Sequence, residues 1–246
     1  MIRIMAVVNL TPDSFHAPSR VSAADAQERI RSMVAAGADL IDLGAVSTRP
    51  GAADVPLEEE WARLEPVLRN WDPAVPFSVD TTRAEIVRRV HDCAGPFIVN
   101  DVSAGEDDPA MLATVGRLGL GYVAMHKRGN PRTMDAQCVY PEGVMAALEA
   151  YFRGFSARAE QYGIDGWILD PGLGFAKSAE QNWEILGRLE ELRGLGRPIL
   201  IGAADKRFTG GDTERAHRLA IRHGGDILRV HDVAAARKTV EGLFLE

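Results

Sequence analysis

The sequence predicts an α/β fold: a single-domain (β/α)8 TIM barrel spanning 1–246, with its active site at the C-terminal ends of the strands. Three observations predict it. Eight short apolar runs alternate with eight longer amphipathic segments. The runs are almost continuous in Ile, Val and Leu, as strands covered on both faces read. Most of them also stop at a polar side chain. Asn9 follows IRIMAVV, Asp42 lies in DLIDLGA, Asp80 ends VPFSVD, and Asn100 and Asp101 end PFIVND. His126 ends GYVAMH, Asp170 ends GWILD, and Arg229 and His231 close DILRVH. Repeated on successive parallel strands, that pattern aims polar side chains at one rim, where ligands bind in such folds.

The strands are expected at 2–8, 39–44, 75–80, 97–101, 121–126, 166–170, 198–202 and 226–230. The helices are expected at 22–36, 57–70, 82–93, 109–118, 142–161, 179–192, 213–223 and 233–244. Ser22 before Ala23-Ala24-Asp25 has the form of an N-cap with a carboxylate in the first turn, and Thr213 before Glu214 marks another start. Gly37, Gly163 and Gly224 stand where helices must end before the next strand. Eight units favour a closed barrel over an open doubly wound sheet. The first strand runs into Asn-Leu-Thr-Pro, without the glycine-rich phosphate fingerprint an open sheet would carry there.

With 246 residues, 46% apolar and 26% charged, the chain has the composition of a soluble globular protein. Its net charge of −7 argues against non-specific nucleic-acid binding, though local Arg and Lys can still bind a small anion. Cys93 and Cys138 show no disulfide or zinc spacing. MIRIMAVVNL lacks the form of a secretory signal, and no run approaches the ~18 apolar residues of a membrane span, so no membrane partner and a cytoplasmic location are expected.

The rim segments carry the chemistry. They read NLTPDSF (9–15), STRPGA (47–52), SVDTT (78–82), NDVSAG (100–105), MHKRGNP (125–131), DPGLGFAKS (170–178), GAADKRF (202–208) and RVHDV (229–233). Asp80 and Asp170, with Asn100 between them, suit a heterocycle with an N–H donor edge, because carboxylates in a low-dielectric pocket need a partner. A single Asp is ordinarily a surface turn residue; two ending separate barrel strands argue for a shared pocket. Arg49, Arg229, His231 and Asn9 could form an anion site, since guanidinium forks fit phosphate oxygens. Arg229 and His231, two apart, share one strand face. Lys206 could donate to a ring atom, and Met125, Phe175 and Phe15 could supply apolar walls. No nucleophile–base pair with recognisable spacing is present, so covalent catalysis is not indicated. A hard cation such as Mg²⁺, held by phosphate, water and Asn9 Oδ1, fits better than a zinc site.

NLTPDSF, STRPGA, SVDTT, NDVSAG, MHKRGNP, DPGLGF and RVHDV, in this order, closely resemble the dihydropteroate synthase family, over about residues 5–235. The resemblance implies a folate-pathway transferase that joins 6-hydroxymethyl-7,8-dihydropterin diphosphate to p-aminobenzoate, releasing pyrophosphate and 7,8-dihydropteroate. It implies that Asp80, Asn100, Asp170 and Lys206 bind the pterin, with Arg229 stacked on it. Thr48, Arg49, Arg229 and His231 would hold the diphosphate, and Asn9 would reach Mg²⁺. Phe15, Pro50 and Phe175 would border the p-aminobenzoate site, and a homodimer is implied.

Three segments depart from the family pattern. Ala204-Asp205-Lys206-Arg207 stands where Ser-Arg-Lys-Ser is usual, with Arg207 a candidate replacement donor for the p-aminobenzoate carboxylate. Gly44-Ala45-Val46-Ser47 replaces Gly-Gly-Glu-Ser, and His16-Ala17-Pro18-Ser19 replaces Ser-Asp-Gly-Gly. Two alternatives therefore stay open: a pterin-binding paralogue that condenses p-aminobenzoate weakly or not at all, and a pterin-dependent methyltransferase domain.

Overall fold

The computed structural model describes residues 2–11, 23–46, 55–129, 133–204 and 206–243. Eight strands form one parallel sheet: β1 (Arg3–Asn9), β2 (Leu40–Gly44), β3 (Phe77–Asp80), β4 (Ile98–Asp101), β5 (Gly121–Met125), β6 (Trp167–Asp170), β7 (Leu200–Ile201) and β8 (Ile227–Val230). They neighbour one another in the order β6-β5-β4-β3-β2-β1-β8-β7, and a parallel bridge between Leu169 and Ile199 brings the two ends together. Helices α1 (Ala23–Ala35), α2 (Leu57–Leu68), α3 (Ala84–Ala94), α4 (Met111–Leu118), α5 (Val144–Gln161), α6 (Ala179–Gly187), α7 (Thr213–Arg222) and α8 (Val233–Leu243) follow the strands in turn. The expected strands and helices are all present, within a few residues at their ends except for the helix expected at 179–192.

Strand alternation sorts the side chains into two populations. Ile4, Ile41, Val79, Val99, Tyr122, Trp167, Ile201 and Leu228 pack outward into the core shared with the helices. Met5, Leu40, Val123, Ile168, Leu200 and Ile227, with Ile98 beside them, form a separate cluster inside the barrel. That cluster is a floor. The next inward position, two residues along each strand, lies one layer nearer the C-terminal mouth. Those positions are Val7, Asp42, Asn100, Met125, Asp170, Gly202 and Arg229, and Asp80 stands at the same step beyond buried Ser78. Hydrophobic burial thus closes the bottom of the barrel, and the polar layer stands on it.

Local signals explain the helix limits. Gly37, Gly163 and Gly224 take φ of 99°, 68° and 97°, the left-handed conformation that closes a helix. Ser178 caps α6 through a reciprocal pair with Gln181. Two expectations shift. The cap of α7 is Asp212, whose side chain accepts from Arg215 N, rather than Thr213. The helix expected at 179–192 ends at Gly187 and continues as a 3-10 segment, Leu189–Leu195. The reason is in the spacing: Leu189, Leu192 and Leu195 recur every third residue, which puts all three on one face of a 3-10 turn. The proposed Ser22 cap lies outside the described residues.

Candidate active site

At the mouth, Arg229 rises from β8 between two acids. Its Nε donates to Asp42 Oδ2 at 2.7 Å and its Nη2 to Asp80 Oδ2 at 3.0 Å. Asp42 is fully buried and also accepts from Ser78 Oγ at 2.6 Å and from Asn100 Nδ2 at 3.1 and 3.2 Å. β2, β3, β4 and β8 are therefore joined by one charge-assisted network. Burial pushes the Asp80 carboxyl up to about 7; Arg229 opposes the shift and neighbouring Asp42 adds to it. Two carboxylates face one guanidinium, and Asp80 takes the excess. Burial alone would lower the Arg229 pKa, yet Asp42 and Asp80 hold it above its ordinary value.

The remaining wall comes from the loop after β6. Asp170 is buried, and its carboxylate accepts from Gly172 N at 2.7 Å; burial raises its pKa while that N–H opposes the shift. Gly172 has φ +68°, and a Cβ there would fall 2.1 Å from the His126 carbonyl oxygen, so only glycine lets this loop lie against the end of β5. Lys206 crosses this loop. Its Nζ stands 4.5 Å from the centre of the Phe175 ring, and its Cδ passes 3.3 Å from where a Gly174 Cβ would be. Met125, in register with Asp170, is buried in the inward row.

Asp80, Asn100, Asp170 and Arg229 thus meet in one inward layer, with Met125 in the same row and Lys206 and Phe175 on the neighbouring loops. Asn9 ends β1 half-buried, and His231 follows β8 half-buried. Arg207 opens the 3-10 turn Arg207–Thr209 and is exposed. Thr48, Arg49, Phe15, Pro50 and Asp205 lie outside the described residues. The ends of the segment carrying Thr48 and Arg49 are nevertheless anchored: Arg63 donates to Ala45 O and Arg83 to Val55 O, each at 2.6 Å.

Two polar strand ends turn away from the mouth. Asp101 accepts from Tyr122 Oη at 2.6 Å and from Ser103 N, Ser103 Oγ and Gly105 N, shaping the loop after β4. His126 is buried edge-on against Tyr151 of α5. Each lies one residue beyond an inward position, so the period of two sends it outward. Conversely, Ser78 and Lys177 belong to the site or its support and were not among the candidate residues, and Asp42 was read as a polar rim residue but given no role toward a ligand. For Asp42 the signal was available, since it stands two residues after inward Leu40.

The whole arrangement is that of a barrel enzyme whose mouth is built for a flat, polar heterocycle. The model of the pterin binding enzyme family matches residues 5–231, and the chain belongs to that family. Within it, a dihydropteroate synthase of Synechocystis sp. is 39% identical over 249 residues, covering 94% of this chain and 86% of the relative. The Yersinia pestis dihydropteroate synthase, solved with a sulfonamide drug complex, superposes with a TM-score of 0.90 at 30% identity, covering 100% of this chain and 95% of that one. The Xanthomonas albilineans dihydropteroate synthase in complex with 7,8-dihydropteroate superposes at 0.86 with 32% identity, covering 99% and 93%.

Proposed function

We propose that this chain is a dihydropteroate synthase of folate biosynthesis, condensing 6-hydroxymethyl-7,8-dihydropterin diphosphate with p-aminobenzoate. The observation that carries the reading is the single inward layer of Asp42, Asp80, Asn100, Asp170 and Arg229 above an apolar floor. Asp80 and Asp170 accept from the amino and ring N–H groups of the pterin. Asn100 spends its amide N–H on Asp42, which leaves Oδ1 as the acceptor toward the ligand. Arg229, held in plane by two carboxylates, offers a flat cationic face for stacking, and Lys206 donates to the ring edge.

Thr48, Arg49, Arg229 and His231 hold the diphosphate, and Met125 and Phe175 wall the site. The methylene C–O bond breaks with its electron pair leaving on diphosphate. The amine nitrogen of p-aminobenzoate then bonds to that methylene and gives up a proton to water or to the departing diphosphate. The carboxylates favour the cationic pterin methylene, and placement of the weakly basic amine does the rest. Arg207 stands in place of the usual serine as donor to the p-aminobenzoate carboxylate.

The donor chemistry suits a cation that arrives with the diphosphate. Asn9 Oδ1 lies over Gly44, where a Cβ would come within 3.3 Å of it, so the glycine leaves that neutral oxygen room at the mouth. Among the described residues, no three His, Cys, Asp or Glu side chains come together as a metal cage. Mg²⁺ would take phosphate oxygens, water and Asn9, and when bound it stabilises charge on the leaving group.

A cytoplasmic location fits the free Cys93 and Cys138, and among the described residues no helix is long and apolar enough to cross a membrane. We take the working form to be a homodimer, which sedimentation at twice the chain mass would support and sedimentation at the chain mass would contradict.

The test is turnover. With Mg²⁺ and pterin diphosphate, pyrophosphate release should depend on added p-aminobenzoate. Pterin binding without p-aminobenzoate-dependent release would favour the non-condensing paralogue, and binding of methyltetrahydrofolate would favour the methyltransferase.

A further inference from the structure

Lys177 is 7% exposed, in a place where an ammonium is expensive unless its hydrogens all find acceptors. They do. Its Nζ lies 3.0 Å from His126 Nδ1, 3.0 Å from Gly172 O and 3.0 Å from Phe175 O, with His126 O at 3.4 Å. Three donors thus meet three close acceptors. An ammonium cannot accept, so Nδ1 of His126 does, which places that ring's single proton on Nε2. Burial keeps the imidazole neutral, lowering its pKa to about 2.

Gly172 and Phe175 bound the turn between Asp170 and α6. The Asp170 backbone is secured separately, because its carbonyl accepts from His126 N in the strand ladder at 3.0 Å. Among the described residues Phe175 has no such ladder; its N–H reaches back to Gly172 O within the turn, at 3.1 Å. Among the bonds from the described residues, the one joining the Phe175 backbone to a side chain comes from Lys177.

We propose that Lys177 is a positioning residue of this site: its charged ammonium fixes the 171–176 turn, and with it Phe175, so that the p-aminobenzoate half of the mouth depends on it more than the pterin half. The proposal rests on the dihydropteroate synthase reading.

The charged and titratable groups facing Lys177 are Asp170 below it, Arg128 and His126 at the end of β5, Cys138 after the 3-10 turn Met134–Gln137, and Lys206 across the loop. Tyr140 and Tyr151 pack on the His126 ring, and Tyr140 Oη also donates to Ala176 O at 2.9 Å. Burial lowers the ammonium's pKa to about 7 and Asp170 opposes that shift, so its charge is lost within the neutral to alkaline range. p-Aminobenzoate remains a monoanion there and contributes no ionisation of its own.

The test uses Lys177→Met and His126→Phe, the latter keeping a ring against Tyr151 while removing one acceptor. Hydrogen exchange of the 171–176 amides reads the turn directly and needs no turnover. It should quicken in Lys177→Met, and unchanged exchange overturns the proposal. Steady-state kinetics should show the KM for p-aminobenzoate raised about tenfold, as for the loss of a buried charge-assisted anchor, with pterin affinity moved less than about threefold. An unchanged KM, or equal losses for both substrates, overturns it. In wild type that KM should rise with pH as Lys177 deprotonates, and His126→Phe should move the rise about one pH unit lower, since removing an acceptor disfavours the cation. A superimposable profile overturns the proposal even if Lys177→Met fails to fold. Absence of turnover by the wild type would defeat the functional reading alone, and the exchange experiment would still decide the role of Lys177.

Discussion

Asp80 shows how one side chain couples the fold to the chemistry. On the proposed reading it accepts from the pterin, most strongly as a carboxylate, yet burial holds its carboxyl at about 7, against 3.8 for the ordinary group. The sign follows from linkage: native Asp80 keeps a proton that the unfolded chain has released between those two values. Its contribution to stability is full below pH 3.8 and is lost as pH rises through 7. The stability advantage of wild type over Asp80→Asn should therefore shrink between pH 5 and pH 8 in chemical denaturation. A constant or widening gap would mean that Arg229 fully compensates the charge.

At the scale of single residues, a polar side chain at the end of an apolar run made Asp80, Asn100, Asp170 and Arg229 legible in the sequence, and the period of two explains why they point inward, since each follows an inward apolar or small residue by two. The same rule explains the misplacement of Asp101 and His126, which are strand ends of the wrong parity. Lys177 was not legible at all. Two of its three close acceptors are backbone carbonyls, and a sequence does not display where carbonyls converge.

Among the elements, α2 and the start of α3 act as a bracket. Glu60 is 2% exposed and accepts from Thr81 Oγ1 at 2.7 Å and Arg83 Nη1 at 2.7 Å, while Arg83 also holds Val55 O. Arg83→Ala would leave a buried carboxylate without its cation and a carbonyl without its donor. We expect a loss of about 2–3 kcal/mol, somewhat under the full cost of breaking a buried pair because Arg83 is partly exposed. That lowers Tm by roughly 4–12 °C for a chain of this size, measurable by calorimetry, and an unchanged Tm would contradict the bracket.

The loop after β7 makes a different prediction. Arg207→Ala should raise the KM for p-aminobenzoate and leave that for the pterin nearly unchanged. If neither constant moves, Arg207 does not serve the second substrate. Element limits were readable from glycines and caps, whereas the change from α6 to the 3-10 segment has no glycine or proline to mark it beyond Gly187.

For the whole molecule, eight strand–helix units, the nearly continuous apolar strands and the polar strand ends were sufficient to derive the barrel. What closes it, the Leu169–Ile199 bridge beside a two-residue β7, is a tertiary contact with no local signature. The central claim is that strands far apart in the chain deliver Asp80, Asn100, Asp170 and Arg229 to a single heterocycle. Calorimetric titration of a pterin into wild type and Asp170→Asn tests this most directly. The account expects one site per chain in wild type and a loss of roughly 1–3 kcal/mol in the variant, about 5- to 150-fold in Kd, with the circular-dichroism spectrum unchanged. Equal affinity in the two proteins would remove Asp170 from the pterin site and contradict the account.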